Sequence, residues 1–265
     1  WQWGLVWGLL SPVFLGIVPI LAKVAYAAGV NVLTLVAFRT GIAAALLWLG
    51  MLLFKRQFIR SSLPAVVGSL IAGAINGLGS LFFYTSLTRI DASLGQLVNI
   101  SYLVFVTVFL RLAGQKISLL TIFRTGLTIG AIYLLTHGGA GPADWLGVGM
   151  MLFAAVTYAL QLVLSQRIML DIPAPTMTLY AITAMAVVVT IAWFFAPTDL
   201  RLVSTAGWQA IGLMALVTAL SRLTLFLGVK AMGSIQTALL GVFEVVVTIV
   251  IAAVFLDERL TLMQW

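Results

Sequence analysis

The sequence predicts an all-α integral membrane protein, a helical bundle of two inverted five-helix repeats. Three observations lead there: a composition too apolar for a wetted surface, a string of bilayer-length apolar segments, and a constant offset that lays one half of the chain over the other. Of 265 residues, 63% are hydrophobic and only 8% are charged, and the mean hydropathy is +1.18. A soluble domain carries roughly a quarter charged residues. Most of this surface must therefore face lipid.

The same composition narrows the chemistry. The absence of cysteine excludes disulfides, Cys-ligated zinc and iron–sulfur clusters. A net charge of +7 suggests nucleic acid in a soluble protein, but no Arg/Lys run is interleaved with aromatics, so the basic excess reads as loop charge on a membrane protein. The lone His137 lies beside Gly138 and Gly139 at a helix end and reads as interfacial rather than as a metal ligand. There is no Gly-rich phosphate loop, nucleophile–base pair or metal-spaced cluster. No enzyme, cofactor, metal or nucleic-acid partner is expected. The chain starts at Trp1 without a methionine, which reads as trimming and leaves any signal sequence unjudged.

A spanning helix needs about 20 mainly apolar residues. Nine such segments can be drawn, near 3–27, 31–54, 64–86, 92–112, 117–137, 145–166, 174–196, 207–229 and 234–256, separated by short polar or Gly/Pro breaks. The ten-residue alternation of a membrane barrel is absent. Numbered in chain order, the even connections collect the basic residues (Lys55, Arg56, Arg60; Arg111, Lys116; Arg167 against Asp171; Lys230). The odd ones are nearly balanced (Lys23; Arg89 with Asp91; Asp144; Asp199 with Arg201; Asp257, Glu258 with Arg259). Basic loops mark the cytoplasmic side, so the even loops and the N-terminus are expected inside.

Sliding the sequence on itself by 143 residues pairs Gln115-Lys116 with Glu258-Arg259. The same shift sets Gly4 on Gly147, Leu9 on Leu152, Val13 on Val156, Thr40 on Thr183 and Leu97 on Leu240. An offset of five spans makes the second half enter from the opposite side. That is the inverted-repeat layout of many secondary transporters, whose substrate site lies near the midplane between the halves. The expected repeats are 1–140 and 141–265, the second truncated after its fourth helix, with a tenth helix starting near Leu260.

Several stretches carry a family resemblance: Arg39 in LVAFRTGIAAALLW, FFYTSLTRIDASLGQL (82–97) and GVFEVVVTIVIAAVFLDERLT (241–261). Together they resemble the EamA-type ten-helix members of the drug/metabolite transporter superfamily, over essentially the whole chain. The family motif reads like L-E-P-V, a helix, then G-E-R-L. Glu244 and Glu258-Arg259-Leu260 match it, while Val245 replaces the usual proline and Asp257 the usual glycine. The first half departs further, with Tyr102 and Gln115 at the proline and glutamate positions. The resemblance implies a basket-like carrier with a central cavity, monomeric or homodimeric in a bacterial inner membrane. It also implies export or exchange of small organic solutes such as amino acids, nucleobase-like compounds or drugs. Without an ATPase motif, transport is expected to use gradients, with protons the candidate coupling ion, or to run as facilitated exchange. The competing readings are a non-transporting receptor or assembly subunit, which would have no solute-sized cavity, and a membrane enzyme or lipid scramblase, which would have a lateral groove.

Ionisable groups at bilayer depth are costly and normally face a cavity or a partner. Counted at about 1.5 Å per residue from the helix ends, Arg39, Arg124, Arg222 and Glu244 lie well inside. Glu244 is the only acid, on a face shared with Thr237, Gly241 and Thr248. Three roles stay open for it: an ion pair with an arginine, a proton or substrate site, or a protonated, hydrogen-bonded side chain. Arg39 matches a family position, which implies a structural or coupling role, and Arg124 is near enough to the cytoplasmic end to snorkel. Polar stripes add Asn76, Ser80 and Tyr84 on the third helix, and Gln96, Asn99 and Tyr102 on the fourth. Tyr158, Gln161 and Ser165 mark the sixth, and Trp7, Ser11 and Phe14 the first. The expected substrate-binding set is Glu244, Asn76, Tyr84, Asn99, Tyr102, Tyr158, Gln161, Ser11, Trp7 and Arg222, with Arg39 and Glu244 as structural or coupling residues. The plain alternative for any one of them is an interhelical hydrogen bond. Gly4/Gly8, Gly73/Gly77 and Gly126/Gly130 read as packing notches, Pro12 and Pro19 as kinks, and Trp3, Trp145 and Trp208 as interfacial anchors.

Overall fold

The structure is a computed structural model that describes residues 2–114, 123, 126, 144–196, 200 and 203–255. In chain order the helices are α1 (Gln2–Ala27), α2 (Val32–Phe54), α3 (Leu63–Ser86), α4 (Ala92–Asn99), α5 (Tyr102–Leu112), α6 (Trp145–Ile168), α7 (Ala174–Phe195), α8 (Thr205–Met232), α9 (Ser234–Leu240) and α10 (Val242–Phe255). A 3₁₀ turn, Arg56–Phe58, follows α2. Taking α4–α5 and α9–α10 each as one crossing, eight spans among the described residues are long and apolar enough to cross a membrane. They fall where the apolar segments were drawn. The segment near 117–137, the tenth helix, Arg124, His137, Gly130 and the residues from Asp257 onward lie outside the described residues.

Three helices begin where a side chain accepts from their first backbone N–H groups. Asn31 accepts from Leu33 N, Asp144 from Leu146 N and Gly147 N, and Ser204 from Gly207 N. Pro64 and Pro175 open α3 and α7, where a missing donor costs nothing. A single residue, Gly233, separates α8 from α9 with φ 89°, a left-handed conformation a Cβ would disfavour. Outward faces are lined by Leu53, Phe54, Phe195 and Val254, all well exposed, as lipid contact requires. Trp3 and Trp145 are also exposed, whereas Trp208 packs edge-on against Phe38 at 5.3 Å.

The halves pack as mirror roles of each other. As α1 lies along α8, α6 lies along α3; as α1 meets α10, α6 meets α5; as α3 crosses α7, α8 crosses α2. The second-half helices α6, α7, α8 and α9 begin at Trp145, Ala174, Thr205 and Ser234, a near-constant distance after Gln2, Val32, Leu63 and Ala92. Loops sort by parity. Lys23 Nζ donates to Ile90 O at 2.8 Å, Arg89 pairs with Asp144 at 3.2 Å, and Ser204 Oγ donates to Ala28 O, all on odd connections. Lys230 Nζ donates to Met169 O and Ile172 O, and Tyr180 Oη to Ile59 O, on even ones. Odd and even connections therefore lie on opposite faces.

Two apolar clusters fill the bundle. One, around Leu110, Leu162, Met177 and Phe226, lies toward the even face. The other, around Leu35, Leu87, Met151 and Ile211, lies toward the odd face. Glycine notches let the spans between them approach closely. A Cβ at Gly73 would overlap the Ala181 carbonyl on α7, and one at Gly8 would meet Met232 and Leu240. Despite Pro12 and Pro19, α1 runs as one helix.

Candidate functional site

The fourth and ninth crossings are not continuous α-helices, and the site is built around their breaks. Between α4 and α5 the ladder tightens, with Ser101 N bonded to Val98 O at 3.1 Å and Val104 N to Ser101 O at 2.9 Å. Between α9 and α10 the same tightening bonds Gly241 N to Ala238 O at 3.0 Å and Glu244 N to Gly241 O at 2.9 Å. At Gly241 the N–H is shared, still reaching Thr237 O at 3.2 Å, and mid-helix 3₁₀ turns often mark functional positions. The two breaks touch. Tyr102, just after the first, donates its hydroxyl to Ala238 O at 3.2 Å, just before the second. A Cβ on Gly241 would overlap that hydroxyl, so glycine is what admits Tyr102 here.

Glu244 falls in the first turn of α10, where the helix dipole favours a carboxylate. Thr248, one turn on, donates to Gly16 O at 2.9 Å, and a Cβ at Gly16 would collide with Glu244 O and Val247. That contact fixes α10 against α1 and holds Glu244 inward, 5% exposed. Among the described residues the carboxylate forms no ion pair, the one such pair being Arg89–Asp144. Gln96 comes near it without closing a hydrogen bond of good geometry, and both Gln96 amide atoms are otherwise unpartnered.

Two guanidinium groups share this depth. Arg39 of α2 is buried, with Nη1 2.8 Å from Thr218 Oγ1 and its Cζ 4.4 Å from the Tyr84 ring centre, while its Nε has no partner. Arg222 of α8 is half-buried. Its Nη1 reaches Gln161 Oε1 at only 3.4 Å, and its Cζ lies 5.5 Å from the Tyr158 ring. Such ring faces attract cations but do not neutralise them. Tyr158 in turn meets Tyr102 edge to face at 4.9 Å.

These groups surround a cavity of about 70 Å³ that draws on seven helices from both halves. Arg39, Asn76, Tyr84, Asn99, Tyr158, Arg222 and Glu244 line it, alongside Leu15, Val18, Phe83, Thr218 and Ser221. A smaller hollow of about 10 Å³ adjoins it through Leu15, Tyr158 and Glu244, and is also lined by Ser11, Tyr102 and Thr237. Glu244 stands at the junction. Of the expected set, Gln161 sits behind Arg222, and half-buried Trp7 lines neither hollow. Sequence reasoning passed over Thr218 and Ser221. Thr218 lies three residues before Ser221 and four before Arg222 on α8, the same helical-face signal used on other helices. Several hydroxyls bond their own helix, as Ser80 does to Gly77 O and Ser221 to Thr218 O, so they leave Asn99, Arg222 and Glu244 as the freer polar groups.

A family model for the EamA-like transporter family matches residues 2–137 and again 145–265. The chain belongs to the EamA-like transporter family. The match covers both halves, in keeping with a duplicated unit. A solved structure described as "Crystal structure of protein" superposes with a TM-score of 0.77 over 98% of this chain and 91% of its own, at 16% identity, which supports the fold alone. No curated protein sequence matches. In this EamA-like chain Glu244 thus lies on a cavity wall shared by both repeats, at a break in a crossing helix. Broken helices at a repeat interface are where membrane carriers place solute and ion sites.

Proposed function

We propose that this membrane protein is a secondary-active carrier of small organic solutes, exporting or exchanging them by alternating access. The observation that carries the reading is the cavity between the two repeats, where Arg39, Asn76, Asn99, Arg222 and Glu244 converge, flanked by one apolar cluster toward each face of the bundle. Parting one cluster while the other stays packed would open the cavity to one side at a time. Glu244 serves as the group that exchanges a proton with the solute path, since it lines both hollows and forms no salt bridge with an arginine among the described residues. The expected orientation follows the basic even loops, with the N-terminus cytoplasmic in a bacterial inner membrane, as a monomer or homodimer. The solutes are metabolites such as amino acids or related compounds, and drugs.

A scramblase would need a lateral groove with a polar path for headgroups. The hollow of about 380 Å³ between α2 and α7 is lined by Phe38, Gly41, Ile42 and Trp193 and holds no charged side chain, which disfavours that role. The test is a thermal-shift screen of the purified chain against amino acids, nucleobases and cationic drugs, followed by uptake into proteoliposomes. Hits should accumulate under an imposed pH gradient. With Glu244→Gln, pH-driven accumulation should vanish while the ligand-induced melting shift persists. Normal pH-driven transport by a well-folded Gln variant removes the proton role. A lower melting temperature with loss of ligand binding indicates a structural one.

A further inference from the structure

We propose that the cavity selects organic anions, solutes that carry a carboxylate, sulfonate or similar oxyanion on a small flat body, with Arg222 as the principal contact and Arg39 as the second. This narrows the carrier reading above and rests on it. The cavity wall holds two guanidinium groups and one carboxylate, so its net charge is positive whether or not Glu244 is protonated. The other titratable side chains facing it are the phenols Tyr84 and Tyr158, with Tyr102 on the adjoining hollow.

Neither arginine forms a salt bridge with an acid among the described residues, although Glu244 lines the same cavity. Each guanidinium offers five N–H donors. Arg39 uses one on Thr218 and keeps a buried Nε without a partner, and Arg222 has a single long contact to Gln161. A planar oxyanion matches that donor geometry, in the bidentate manner arginine favours. A cation would add to the buried positive charge, and a neutral solute would leave the donors unmatched. The body of the solute would meet Leu15, Val18, Phe83 and the rings of Tyr84 and Tyr158.

Four probes of one size and different charge test this on the purified full chain: benzenesulfonate, benzoate, benzamide and benzylammonium. Binding is read by calorimetry, and benzenesulfonate counterflow in proteoliposomes reads transport, since this permanent anion does not cross bare lipid. The two anions should bind at least about tenfold more tightly than benzamide, and benzylammonium should not bind. Arg222→Gln should weaken anion binding roughly 10- to 100-fold at unchanged melting temperature, and Arg222→Lys should restore part of it. The inference is overturned if benzamide or benzylammonium binds as tightly as benzenesulfonate, if Arg222→Gln keeps the anion preference, or if none of the four binds. The carrier reading fails separately, when no solute of the broader screen moves across proteoliposomes.

Discussion

Glu244 is the one charge in an otherwise uncharged run of sequence, and the structure gives that placement three physical reasons. It occupies the first turn of α10, it is backed by the Gly16–Thr248 contact, and it faces two hollows without a salt bridge to an arginine among the described residues. Arg39 is different, because its guanidinium is packed on Tyr84 and hydrogen-bonded to Thr218. Thr218→Val should therefore destabilise the fold by about 1.5–3 kcal/mol, the usual loss when a charged group forfeits a hydrogen bond. Chemical or thermal unfolding in detergent checks it, and a change within error would show that Tyr84 and the remaining surroundings suffice. Arg39, Arg222 and Glu244 were legible because a charge in an apolar segment stands out. Thr218 was not, since threonine is common in these helices and most bond their own backbone, as Thr178 and Thr224 do. Trp7 shares a helical face with Ser11 in sequence, yet only Ser11 reaches a hollow.

At the scale of elements, the crossing of two tightened helices is the feature on which the site depends. The hydroxyl of Tyr102 occupies the space a side chain at Gly241 would need. Gly241→Ala should cost about 1–3 kcal/mol through overpacking and should lower counterflow along with stability. Adding Tyr102→Phe should recover part of both, because it removes the overlapping oxygen. Failure of the double variant to recover either would mean that the glycine serves backbone geometry alone. The span limits were readable from the apolar runs, which end at Asn31, Asp144 and Ser204 caps that sequence also displays. The breaks were not readable. No glycine or proline marks the chain around Ile100, and a lone Gly241 reads equally as a packing notch.

For the whole molecule, duplication explains why one cavity draws on both halves. Exchanging the halves maps the α1–α8 contact onto α6–α3 and the α4–α10 contact onto α9–α5, so the breaks meet where the repeats cross. The offset of Gly4 on Gly147 and Leu97 on Leu240 made that arrangement legible, and loop parity made opposite faces legible. The chemistry of the two halves is unequal, since Ser101 stands where the offset places Glu244, and Ser101 Oγ is buried without a partner. The chain has no cysteine, so a single Ser80→Cys reports on the cavity against a silent background. In sealed vesicles of both orientations, alternating access predicts that a membrane-impermeant methanethiosulfonate labels this cysteine from either side, and that a transported solute slows both reactions. Labelling confined to one side, or to neither, with no effect of solute, would contradict a cavity that opens alternately to each face.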